Sequence, residues 1–155
     1  MWRFAALLAG ALALSSCGAQ AGGGPLGVFG ERFTVQGNSM EPAVPAGTTL
    51  TVQKSAEYKR GDVVAVESPQ NRGAVLVRRI VGLPGETLEI VAGVVLVEGA
   101  ALDEPYARET DGANQSPVNL DKGQYYVLAD NRRSAADSRA WGPVPAEMIR
   151  GVAKR

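Results

Sequence analysis

The chain has 155 residues, 45% of them hydrophobic, enough to bury the core of one domain. Sixteen basic and sixteen acidic side chains cancel, so neither nucleic-acid binding nor a polybasic membrane anchor is called for. There is no histidine and only one cysteine, which removes Ser-His-Asp catalysis, an internal disulfide and the usual zinc sites.

Residues 1–17 read as an export segment. Met1-Trp2-Arg3 carries one positive charge, residues 4–14 form an apolar run of eleven, and Leu14-Ser15-Ser16-Cys17 closes it. A bilayer-spanning helix needs about twenty apolar residues, so this run is short for an anchor. Leu-Ser-Ser-Cys resembles a bacterial lipobox, which implies cleavage before Cys17 and its lipidation. A short uncleaved anchor with an incidental cysteine is the other reading. Residues 18–32, with four glycines between Gly18 and Gly24, read as a tether, and 33–155 as the folded domain.

Nineteen glycines and nine prolines predict many turns and hence a mainly β fold of folded-over antiparallel sheet. Strands are expected at Thr49–Gln53, which alternates, at 62–66 after Lys59-Arg60-Gly61, and at 74–81, stopped by Leu83-Pro84-Gly85. Thr87–Val91 and Val94–Val97 around Ala92-Gly93 predict a tight hairpin. Residues 98–119 read as a surface excursion, Gln124–Leu128 as a strand and 145–149 as one helical turn.

Gly37-Asn38-Ser39-Met40-Glu41-Pro42 has the form of a serine nucleophile box. A lone serine between asparagine and methionine is usually a turn or cap residue. Three further segments give it weight: Val77-Arg78-Arg79-Ile80-Val81-Gly82-Leu83-Pro84-Gly85-Glu86, Leu128-Ala129-Asp130-Asn131-Arg132, and Asp137-Ser138-Arg139-Ala140-Trp141-Gly142-Pro143-Val144-Pro145. With Leu102-Asp103-Glu104-Pro105-Tyr106, in this order, they resemble the bacterial type I signal peptidases from about residue 33 to the C-terminus.

That resemblance implies a membrane-attached Ser/Lys endopeptidase of the bacterial cell envelope, facing the extracytoplasmic side and cutting export signals after small residues. Carried over, Ser39 is the nucleophile, and its own N–H with a group at Gly37 forms the oxyanion hole. Val35, Met40 and Val44 shape the pocket for a small side chain. Val75, Leu76 and Val77 offer the strand edge for an extended signal-peptide segment. Arg79, Asp130, Asp137 and Arg139 are scaffold, with the aspartates pairing the arginines. Trp141-Gly142 reads as packing and turn, and Phe29 and Phe33 as candidates for a lipid-facing surface. Membrane lipid and the export signal are the implied partners. No metal or organic cofactor is implied, since histidine and a phosphate-binding glycine loop are both missing.

The departures fall on the base. The family's lysine position is Arg78, and the serine that orients the lysine falls on Ala135, with Ser134 one residue early. Arg79 points to the opposite strand face and cannot stand in. Burial can bring a lysine from about 10.4 to near 7–8, roughly 4 kcal/mol, whereas arginine would need on the order of six units, about 8 kcal/mol. Arg78 therefore stays charged: it can donate to Ser39 but cannot accept its proton. Lys54 and Lys59 are the remaining amines near the box in sequence, each with a plain reading as a surface lysine.

Three functions follow. The arginine favours a membrane-tethered pseudo-peptidase that keeps a peptide groove. The alternatives are a working signal peptidase with a relocated base, and a lipoprotein that uses the fold only as a spacer.

Overall fold

The computed structural model describes residues 30–108, 110–133 and 136–155. Cys17, Phe29, Ser134 and Ala135 lie outside them, as do residues 1–17 and most of the tether. The strands are β1 (Glu31–Thr34), β2 (Thr49–Gln53), β3 (Val63–Glu67), β4 (Val75–Gly82), β5 (Thr87–Val91), β6 (Val94–Val97), β7 (Ala100–Ala101), β8 (Gln115–Asn119), β9 (Gln124–Leu128), β10 (Val144–Pro145) and β11 (Ile149–Lys154). A single helical turn, α1 (Ser138–Trp141), precedes β10. The pairings between these strands are antiparallel, in a seven-stranded sheet ordered β1-β2-β11-β3-β4-β9-β10 and a four-stranded sheet ordered β7-β6-β5-β8. The protein is thus mainly β, as its turn-rich composition predicts.

Sequence pattern explains which strands are covered on one face and which on two. In β2, Leu50 and Val52 are buried while Thr49, Thr51 and Gln53 are not, the alternation of a strand with one core face. The uninterrupted Val63-Val64-Ala65-Val66 of β3 marks a strand buried on both faces. Ala65 joins a first core with Val35, Met40, Leu50 and Val77, whereas Val64 and Val66 join a second with Ile80, Val127 and Ile149. A third core, built on Val81, Leu88, Val95 and Tyr126, joins the two sheets.

The β5–β6 hairpin turns through Ala92 (φ 48°) and Gly93 (φ 83°), the two left-handed positions of a type I′ connection. Two readings need correction. Within 98–119, read as a surface excursion, β7 and β8 form, and β8 pairs with β5 through Leu88↔Val118. Gln115–Asn119 carries one clear apolar signal, Val118, and a proline that an edge strand tolerates. The turn expected over 145–149 shrinks to a 3₁₀ turn at Ala146–Met148, because Ile149 already pairs with Val66 in β11.

Gly151 sits where β11 passes between β2 and β3, beside a register shift. A Cβ there would stand 2.3 Å from the Gln53 carbonyl oxygen, and backbone of a central strand cannot yield cheaply. Gly151→Ala is expected to cost about 1–3 kcal/mol of stability, read as a lower urea midpoint.

Candidate active site

The serine box is a loop closed by its own backbone. Val35 N–H donates to Thr48 O at 2.9 Å, and Gly47 N–H donates back to Val35 O at 2.9 Å. Val44 N–H donates to Met40 O at 2.7 Å, and the Met40 side chain is fully buried in the first core. Gly37 adopts φ 77°, which a side chain would strain. The Asn131 N–H donates to Ser39 O at 3.0 Å, fastening the box to the segment after β9. Ser39 is therefore held by its own carbonyl and by the anchor at its neighbour Met40.

A cleft of about 240 Å³ opens beside it, with Val35, Gly37 and Ser39 on one side and Val75, Val77 and Arg78 on the other. Leu76 and Phe33 also reach it, whereas Met40 and Val44 lie in the core beneath. Strand β9 pairs with β4 only from Arg79 to Gly82, so the outer side of Val75–Val77 is left without a strand partner among the described residues.

Arg78, 3% exposed, ends this wall. Its Nη1 donates to Ser39 Oγ at 2.9 Å and to Val77 O at 2.5 Å, and its Nε donates to Ala136 O at 2.8 Å. Burial lowers its pKa from the ordinary arginine value, the nearby Asp137 charge opposes this, and Arg139 adds to the lowering.

Arg79 diverges to other partners, as the two-residue strand repeat requires. Its Nε and Nη2 donate to the two oxygens of fully buried Asp130 at 2.8 and 2.5 Å, and its Nη1 donates to Gly61 O at 2.8 Å. Desolvation works against the charge of Arg79, but the hydrogen bonds and charge of Asp130 outweigh it and raise the pKa. Asp137, also fully buried, caps α1 through Arg139 N–H at 3.1 Å. It further accepts from Arg139 Nε and Nη2 at 2.9 and 2.7 Å and from Ala129 N–H at 3.1 Å. These two aspartate–arginine pairs form the wall behind the serine. Trp141 packs on the second core and Gly142 turns the chain at φ 81°.

The two candidate amines stand elsewhere. Thr34↔Thr49 sets the serine box at the start of β2, while Lys54 follows the last residue of that strand. Its Nζ donates to Ile149 O at 2.6 Å. Lys59 is exposed in its turn.

Sequence reasoning did not assign the clamp that holds Arg79 from outside. Its guanidinium lies over the Tyr106 ring at 4.1 Å, Tyr106 OH donates to Glu104 at 3.2 Å, and Glu104 pairs with buried Arg132 at 2.5 Å. Leu102-Asp103-Glu104-Pro105-Tyr106 had entered only as a segment of resemblance, and the charge match of Glu104 with Arg132 was the signal available.

Fold and site together define a mainly β protein with a buried arginine that donates to a serine hydroxyl beside a cleft. Residues 18–155 match the family described as signal peptidase, peptidase S26. A signal peptidase I of Bacillus licheniformis is 32% identical over 139 residues, covering 80% of this chain and 74% of that protein. Signal peptidase I T of Bacillus subtilis is also 32% identical over 139 residues, covering 80% and 72%. A signal peptidase I of Enterococcus faecalis, solved by crystallography, superposes with a TM-score of 0.55 at 29% identity, over 62% of this chain and 96% of that one. The chain belongs to the signal peptidase family.

Proposed function

We propose that this chain keeps the peptide groove of its family and binds signal-peptide segments without cutting them. One observation carries the reading: Arg78 donates to Ser39 Oγ at 2.9 Å, where a peptidase needs an acceptor for the serine proton. Burial lowers the Arg78 pKa, while the Asp137 charge opposes this, and a guanidinium is a donor only, with no acceptor to offer the serine proton. A guanidinium in that position orders the hydroxyl and leaves it protonated. The ligand would lie along the unpaired side of Val75–Val77 by strand addition, with small side chains in the cleft.

A relocated base gains nothing from the geometry, since the Lys54 amine is engaged at the far end of β2. In this reading residues 1–17 direct export, Cys17 carries lipid, and the domain works on the extracytoplasmic side of a bacterial membrane. Among the described residues no helix is long and apolar enough to cross a membrane.

The test is incubation of the full chain in detergent with a signal-bearing preprotein, beside Ser39→Ala. Both are expected to bind the preprotein and neither to shorten it. Cleavage by the parent that disappears in Ser39→Ala would overturn the reading.

A further inference from the structure

Four charged side chains are buried among the described residues: Arg78, Asp130, Arg132 and Asp137. Three have an ion-pair partner, in Arg79–Asp130, Arg132–Glu104 and Arg139–Asp137. Arg78 is the exception. Its hydrogen bonds go to two carbonyls and a hydroxyl, all neutral, and its Nη2 has no acceptor among the described residues. The Asp137 carboxylate acts on it only through space, since both oxygens are already engaged by Arg139, with Ala129 N–H on one of them.

This cation, without an ion-pair partner among the described residues, sits on the wall of the cleft. Because Arg78 donates into Ser39 Oγ, the hydroxyl proton is left for another acceptor. The backbone N–H groups of Gly37 and Ser39, on the same rim, donate to no acceptor among the described residues. The Nη2 edge of a guanidinium, a hydroxyl and free amides beside an apolar trough suit an anion with two oxygens better than a neutral peptide carbonyl. We propose that the cleft takes peptides by their free C-terminal carboxylate, held by Arg78 and Ser39, with a small terminal side chain between Val35 and Val77. An anion there would supply the direct ion-pair partner that Arg78 does not find among the described residues, which an internal peptide bond cannot. The inference rests on the groove reading above and narrows it to peptides that have already been cut.

The experiment titrates the full chain in detergent with two fluorescent peptides ending Ala-Gln-Ala, identical except for a C-terminal carboxylate or carboxamide. The carboxylate peptide is expected to bind about tenfold more tightly or better, the range of a charge-assisted hydrogen bond. Arg78→Gln should abolish the difference, and Lys54→Ala should leave it intact. Arg78→Lys, which puts a single amine where the guanidinium stood, should show a reduced preference, and it decides the matter if the glutamine variant does not fold. Equal affinity of the two peptides overturns this inference while leaving the groove reading in place. Binding of neither peptide removes the groove reading as well. A preference undiminished by both Arg78 variants overturns the assignment to Arg78.

Discussion

Arg78→Lys combined with Ala135→Ser is expected to turn the chain into a Ser39-dependent peptidase. In the parent, the group at hydrogen-bond distance from Ser39 Oγ is a buried guanidinium that donates at 2.9 Å. A lysine at the same strand position would enter the same desolvated setting, where burial is the leading cause lowering the arginine. For an amine starting near 10.4, a fall of about three units reaches the range in which it can accept a proton at neutral pH. A desolvated setting of this kind is thus suited to a lysine base, whereas a guanidinium there can only donate. Ala135→Ser restores the hydroxyl that the family resemblance assigns to orienting the amine. General-base assistance contributes about 10²–10⁴-fold, so cleavage should rise at least about a hundredfold over the parent.

The readout is shortening of a signal-bearing preprotein in detergent, with the triple variant carrying Ser39→Ala as the blank. The pH profile adds a second check: activity should increase with pH as the lysine loses its proton. Should the parent already cleave at the restored variant's rate, with loss in Ser39→Ala, the pseudo-peptidase reading is wrong.

What the sequence made legible follows from how far each signal reaches along the chain. Thr49–Gln53, Thr87–Val91 and Val94–Val97 carry their alternation or their turn within a few residues, and they appear with those bounds. Gln115–Asn119 escaped because its place on β5 depends on Val118 meeting Leu88, a contact no local pattern announces. The α1 turn escaped for another reason. Four residues are too few for a helical period, and the turn depends on the Asp137 cap. At the site, Ser39 and Arg78 lie 39 positions apart, and Arg132 and Glu104 lie 28 apart. Residue type limits what each can do, but only the resemblance joined the first pair, and nothing in the sequence reading joined the second.

The wall behind the serine should prove as costly to breach as its burial implies. Asp130→Ala is expected to lower stability by about 3–5 kcal/mol, because it strands the Arg79 guanidinium in a site with little water. Asp130 is fully buried and accepts from two Arg79 nitrogens, at 2.8 and 2.5 Å, so the substitution removes both bonds together with the counter-charge. The face of Tyr106 at 4.1 Å softens this loss without supplying a full negative charge. Arg150→Ala is the internal comparison. Its partners Glu31 and Glu67 are half-exposed, at 57% and 47%, and water screens such pairs, so the change should stay below about 1 kcal/mol. Urea midpoints at constant slope measure both variants. A loss below about 1 kcal/mol in Asp130→Ala would mean that Arg79 finds solvent or another acceptor, and that the wall does not depend on this pair. A large loss would tie the rigidity of the cleft to it directly, since Arg79 is the strand neighbour of Arg78, whose guanidinium holds Ser39.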